Sequence, residues 1–285
     1  MEQNITIEQI SAETESLFSG AIIEWDTSKE LIWEEKFEAI FQKPETKVIH
    51  LNSSIIKLSI AASLLILVGF ASVAWFYSET FVSPLGTHLS ASLPDGSTVE
   101  MNAESSLKFY PYRWFVIRDV EFNGEGFFKV QKGKKFVVKS TFGKTSVLGT
   151  SFNIFARDNT YRVLCLTGKV RVTNNNKKLV VLNPNQQAII ESDGLLKREI
   201  IAKPENVISW TFNKFLFTAA PFNEVLREIE RQFGISINTD EHLNGLISCN
   251  FQRGTNVEEI LSVVCKPLGY KYIKTSDKKY LIKKN

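Results

Sequence analysis

Histidine and cysteine are scarce: the 285 residues contain three of each. His50, His88 and His242 are far apart in sequence and leave little material for metal or triad chemistry. An odd, low cysteine count excludes a disulfide framework or a Cys-rich zinc module. No G-x-x-x-x-G-K-[ST], H-E-x-x-H or C-x-x-C pattern occurs. Gly124-Glu125-Gly126 sits inside a strand-like run rather than between a strand and a helix. It is therefore no dinucleotide fingerprint, and its glycines are expected to relieve crowding at a bend or bulge. The sequence points to no enzyme and no cofactor. A net charge of +3 is too balanced for a dedicated nucleic-acid binder. Two local absences matter more: Leu58–Tyr77 carries no charge, and Ser78–Gly96 carries no Lys or Arg.

The uncharged run reads LSIAASLLILVGFASVAWFY. As a helix it is about 30 Å long, the thickness of a bilayer's hydrocarbon core. Trp75 and Tyr77 close it, where amphipathic rings favour the lipid–water interface. More than fifty residues precede it, and it exceeds the roughly 7–15 apolar residues of a cleaved signal peptide. A single transmembrane helix over 58–77 is expected. Lys43, Lys47 and Lys57 flank its start, so the positive-inside rule places the N-terminus in the cytoplasm and everything after Tyr77 across the membrane.

The two sides differ in kind. Eleven acidic and five basic residues, Lys57 among them, precede the span, whereas 20 acidic and 29 basic follow Tyr77. In the acidic segment, 1–52, Thr6-x-x-Gln9 and Thr27-x-x-Glu30 resemble capping boxes opening two short helices. Trp33, Phe37, Ile40 and Phe41 fall at i, i+4, i+7 and i+8 of the second, ahead of Pro44. About fifty residues bury too little surface to be self-sufficient. Trp25, Trp33, Phe37 and Phe41 are therefore candidates to contact a cytoplasmic partner, or else to pack on the first helix.

Beyond the span, turn signals are dense from Pro84 to about Lys203: Pro94-Asp95-Gly96, Asn123-Gly124, Thr167-Gly168, Asn174-Asn175-Asn176, Asp193-Gly194. Short alternating or β-branched runs separate them. Val120, Phe122, Gly124, Gly126, Phe128 and Val130 share one face, and YRVLCLTGKVRV is apolar on both faces through its middle. An all-β domain, sandwich or solenoid, is expected over 83–203. After Trp210 the order becomes strand–helix–strand, twice, then a final strand. Phe222, Val225, Leu226, Ile229 and Phe233 form one helical stripe ended by Gly234. Val257, Ile260, Leu261, Val264 and Leu268 form another, ended near Pro267 and Gly269. A small α/β domain of two βαβ-like repeats over 211–285 follows, with sheet edges open to strand addition. Cys249 and Cys265 could pair across the second unit in an oxidising compartment, or Cys265 could simply be core. Cys165 reads as buried.

The run SPLGTHLSASLPDGSTVEMNAESSLKFY, with VEFNGEGFFKV, FVVKSTFGKTSVLGTSFNIFA and LCLTGKVRV, resembles the FecR-type anti-sigma regulators of the Bacteroidetes kind. VLGTSFNI is the most characteristic segment. The tail from Trp210 resembles the C-terminal domain of those regulators, itself similar to the secretin/TonB short N-terminal signalling domain. The resemblance covers Ser83 to Lys283, while the N-terminal piece matches only in aromatic helical character. It implies an extracytoplasmic-function sigma factor as the cytoplasmic partner and a single-pass inner-membrane location. It also implies that the C-terminal domain meets the signalling domain of an outer-membrane TonB-dependent transducer. In the family, signalling is tied to intramembrane or site-specific proteolysis. The rival reading is a periplasmic ligand-binding or protein-interaction sensor without a sigma partner.

Overall fold

The computed structural model describes residues 28–41, 52–191, 193–239 and 243–285. The chain divides into two compact units, Met1–Ala62 and Ser63–Asn285.

Helix α1 spans Lys29–Phe41. Its N-terminus is closed by Ser28, whose Oγ accepts from Leu31 N at 3.4 Å, one residue later than the Thr27 box anticipated. Thr6, Gln9, Trp25 and Thr27 lie outside the described residues. Helix α2 runs from Ser53 to Phe76, 24 residues with no buried side chain, long and apolar enough to cross a membrane. It starts five residues before the uncharged run because Asn52 caps it, Oδ1 accepting from Ser54 N at 3.2 Å. Ser59 and Ser72 return their hydroxyls to the carbonyls of Ile55 and Val68. This satisfies them within the helix, as an apolar environment requires.

Only Tyr77 and Ser78 separate α2 from the first strand. Thirteen strands follow: β1 (Glu79–Ser83), β2 (Leu89–Ser92), β3 (Thr98–Met101), β4 (Ser105–Phe109), β5 (Arg118–Lys129), β6 (Phe136–Ser140), β7 (Gly143–Val147), β8 (Ser151–Arg157), β9 (Thr160–Cys165), β10 (Val170–Asn174), β11 (Leu179–Leu182), β12 (Gln186–Ile190) and β13 (Leu196–Ile200). They form two seven-stranded layers that share β5. One layer runs β1-β4-β5-β6-β7-β10-β11 and the other β2-β3-β5-β8-β9-β12-β13. The first half of β5 pairs with β4 and, in parallel, with β6. Its second half pairs with β3 and β8. The layers enclose one apolar cluster, in which Phe128 contacts both Phe122 and Phe152 at centroid distances of 5.1 Å. Of the two architectures left open by the sequence, this is the sandwich.

The strand that changes layers does so at Gly124, whose φ is +107°. A Cβ there would lie 2.3 Å from Ser105 Oγ and 2.6 Å from Ser105 Cα. Ser105 Oγ in turn accepts from Glu125 N at 3.0 Å. The glycine pair thus marks a bend, as its place in the sequence suggested.

After a helical turn at Pro204–Val207 come β14 (Lys214–Pro221), α3 (Phe222–Phe233), β15 (Ser236–Thr239), β16 (Leu246–Gln252), α4 (Val257–Cys265), β17 (Tyr270–Ser276) and β18 (Lys279–Lys284). Gly234 and Gly269 stop the two helical segments in the left-handed conformation, at φ +60° and +74°. The pairing is not that of two βαβ units. β14 pairs antiparallel with β16, whereas β15 pairs parallel with β18, which pairs antiparallel with β17. Each helix therefore joins strands of different sheets. Local periodicity shows that a segment is a strand, but partner choice is a long-range matter. The core of this module takes in Phe127 of β5 and Trp210, so it is built partly on the β body.

Gly124→Ala should lower stability by about 2 kcal/mol or more, since it combines a strained φ with a backbone clash. Thermal unfolding of the detergent-solubilised protein checks this. A loss below ~0.5 kcal/mol, the level of an ordinary surface change, would show that β5 turns without needing glycine.

Candidate functional site: helix α1 and the seam of the C-terminal module

On α1, Trp33 and Phe37 are one turn apart with ring centroids 5.3 Å from each other, and they are 66% and 45% exposed. The apolar residues do not all share a face. Leu31, also exposed, lies about 200° round from Trp33 and is not part of that pair; the side chain of Ile40 lies outside what is described. Phe41 ends the helix, but its side chain, like Trp25, is outside what is described.

The larger feature is the seam between the β body and the C-terminal module. Helix α3 has two occupied faces. Phe222, Val225, Leu226 and Ile229 point into the module's core. Glu228, Arg231 and Gln232 are buried as well, yet they face charged and polar groups of the β body. The centre is Arg157, at the end of β8, with a side chain only 7% exposed. Its Nη2 donates to Glu228 Oε2 at 3.0 Å and to Glu125 Oε2 at 3.3 Å, and its Nη1 donates to Ala103 O at 2.8 Å. Asn102 and Asn153 each donate to Glu125. Gln232 Nε2 donates to Asn102 Oδ1 and to Glu228 Oε1. Arg231 reaches outward, its Nε to Glu104 Oε2 at 2.8 Å and its Nη2 to both oxygens of Asp158 at 2.7 Å. Glu104 and Asp158 both occupy positive-φ turn positions, at +55° and +53°.

Burial raises the Glu125 carboxyl above its ordinary value, and Arg157 opposes that shift. His88 lies beside the same network, its Nε2 2.9 Å from Gln232 Oε1 and its ring edge-on to Trp210. Burial lowers its pKa. Gly86 completes the seam through its backbone: its N donates to Arg231 O at 2.7 Å and its O accepts from Arg253.

Alongside this network runs a cleft of about 710 Å³, lined by β14 along its whole length, by Phe155, Arg162 and Leu164 of the β body, and by Trp210. Among the described residues β14 is paired on one side only, which leaves its second edge open at the cleft. Two buried lining atoms lack a partner among the described residues, the acceptor Asn153 Oδ1 and the donor Trp210 Nε1. Arg162 bridges the mouth, donating to Glu224 Oε1 at 2.8 Å over the face of Phe155.

Cys249 lies on β16 and Cys265 ends α4; both thiols are free, as is that of Cys165. Burial pushes all three up to about 11, so they hold little thiolate at neutral pH. The pairing suggested by their spacing is not made. Sequence reasoning missed the seam altogether. Glu224, Glu228 and Arg231 follow helical spacing opposite the apolar stripe and read as an ordinary solvated face.

Residues 79–171 match the family profile described as FecR protein, and residues 214–282 match that described as FecR, C-terminal. Together they span more than half of the chain. Two crystal structures of a candidate anti-sigma factor from Parabacteroides distasonis ATCC 8503 are similar, at 26% and 27% identity. Each has a TM-score of 0.67 and covers 73% of this chain; 100% and 99% of their own chains are covered in turn. No curated protein matches.

Arg157→Met should destabilise the protein by about 3 kcal/mol or more, because it strands two buried carboxylates. That is a melting temperature lower by roughly 6–12 °C for a unit of this size. The sign with pH follows from Glu125: its folded-state pKa is raised, so the stability it contributes is present at acid pH and lost as pH rises. Part of the variant's loss should therefore return between pH 7.5 and pH 5. A pH-independent loss would show that packing, not charge, is what Arg157 supplies.

Proposed function

Because this chain is a FecR-type regulator, we propose that it acts as an anti-sigma factor and transmembrane sensor. In this reading segment 1–52 holds an extracytoplasmic-function sigma factor at the inner membrane. The helix crosses once with the N-terminus cytoplasmic, residues 83–203 form the periplasmic β domain, and residues 211–285 form the signalling module. The module receives the signalling domain of an outer-membrane TonB-dependent transducer, and an intramembrane or site-specific protease releases the sigma factor. The charge asymmetry across the span and the lysines before it support the orientation.

The observation that carries the sigma-binding part is the exposed Trp33–Phe37 pair on a short acidic helix next to a membrane span. Paired aromatic rings of this kind concentrate interface energy, at about 2 kcal/mol or more each when truncated. The surrounding carboxylates of Glu30, Glu34 and Glu35 would steer a basic partner surface. In the full-length protein, Trp33→Ala with Phe37→Ala should release the sigma factor, read as constitutive transcription from its target promoter. The amount of membrane-inserted protein should not change. Sigma capture equal to the parent's would place the binding face elsewhere on the segment. Capture of no sigma factor by the parent would favour a sensor without a sigma partner.

For the transducer, the half-paired β14 along the cleft supports reception by strand addition. Leu216, 42% exposed on the cleft wall, is the point to change. Leu216→Glu should uncouple sigma activity from the external signal while leaving stability within about 0.5 kcal/mol. Unchanged induction would move the receiving surface away from β14.

A further inference from the structure

The end of the β body that follows the membrane helix is unusually apolar, and strand register fixes which loops lie there. Glu79, the first residue of β1, is opposite Phe109, the last of β4. The loop 110–117 that leaves β4 therefore starts beside the point where the chain leaves α2. β5 and β6 run parallel with Arg118 opposite Phe136, which puts the turn 131–135 before β6 at the same end. Phe136 is also opposite Val147, which adds Leu148.

The loop is held from inside and apolar outside. Trp114 is buried, edge-on to Phe109 and Phe136 at 5.7 and 5.8 Å. Val116 N and Ile117 N both donate to Arg113 O, at 3.0 and 2.9 Å, so the backbone is folded on itself. Around this fixed centre Tyr112, Phe115, Val116 and Ile117 are exposed, Phe115 at 73%, and so is Leu148. An ordered loop presenting three consecutive exposed apolar side chains, Phe115 to Ile117, is not an ordinary soluble surface. Lys132, Lys134 and Lys135 in the adjoining turn are exposed, and none has an ion-pair partner among the described residues. Lys134 instead donates to Phe115 O at 3.3 Å, which sets a cation directly beside the apolar tip.

The tether leaves little choice of what this face meets. Two residues, Tyr77 and Ser78, join α2 to β1, and Tyr77 rests against Tyr112 with centroids 5.4 Å apart. If Trp75 and Tyr77 mark the interface, Tyr112 is at the same depth and its loop is directed at the lipid.

We propose that loop 110–117, with the lysine turn 131–135 and Leu148, rests on the bilayer beside α2 as a second membrane contact of the β body. The partner is a lipid surface, apolar at the tip and anionic at the headgroups. The proposal rests on α2 crossing a membrane and not on which side the body lies. Its consequence is mechanical: the β body is held against the membrane at two places, so the short Tyr77–Ser78 connection is shielded until the loop lifts.

The test uses the full-length protein reconstituted in phosphatidylethanolamine–phosphatidylglycerol vesicles, with the photocrosslinking residue p-benzoylphenylalanine placed at 66, 115, 116 or 263. Position 263, exposed on α4, is the aqueous control. Lipid adducts are expected at 66, 115 and 116 and not at 263. Adducts at 66 but at neither 115 nor 116 overturn the second contact while leaving the span intact. A protein adduct at 115 also overturns it, by showing that the tip meets another chain. No adduct at 66 removes the span and the proposal together. Replacing Lys132, Lys134 and Lys135 by Glu should reduce the yield at 115 by up to roughly fivefold per lysine, without change at 66. An equal yield at 115 would overturn the lysines' part in the contact.

Discussion

Arg157 lies between Glu125 and Glu228, one carboxylate from each side of the seam, and the relation of the two cores depends on it. Two carboxylates that close, in a place with little water, would repel each other. One guanidinium with donors to both turns that repulsion into a clamp. Such a clamp adds little net stability over an apolar contact, because desolvation offsets most of the Coulomb gain. What it supplies is specificity, since any rotation of α3 would leave at least one buried charge unpaired. The surrounding amides of Asn102, Asn153 and Gln232 satisfy the remaining lone pairs.

The joint is possible because β5 changes layers at Gly124. Before that point its outward residues Glu121 and Asn123 are exposed; after it Glu125 and Phe127 are buried under the C-terminal module. One bend therefore delivers both the carboxylate of the clamp and an apolar residue of the second core. The cleft then forms where the clamp ends and β14 keeps one edge open, with Asn153 Oδ1 and Trp210 Nε1 left without partners among the described residues on its wall. The open edge of β14, the buried charges and the turn of β5 are thus parts of one arrangement, and a molecule entering the cleft would touch the joint directly.

The opposite demand acts at the end next to α2. There Trp114 fixes a loop whose other side chains face outward, with lysines beside it. Charges are buried at the seam and apolar groups exposed at the loop, reversing the usual preference at both ends. Each reversal has a partner that explains it: a second module in the first case, a lipid surface in the second.

Much of this was legible in the sequence wherever a signal is local. The uncharged run at 58–77 determined a membrane-length helix, since hydrocarbon thickness sets a length that composition alone can meet. Turn residues and two-residue alternation determined a β body, and Gly234 and Gly269 determined where two helical segments stop. The family resemblance rested on contiguous segments and held for the same reason. Tertiary structure alone decided what depends on residues far apart in the chain. It chose a sandwich by folding β5 over at Gly124, and it gave β15 to β18 rather than to β14. It also left Cys249 and Cys265 unpaired. Above all it buried Glu228, Arg231 and Gln232, which a helical wheel assigns to solvent. A charged face is read as exposed unless its counter-charges are known, and here Glu125, Arg157 and Asp158 lie 71 or more positions away along the chain.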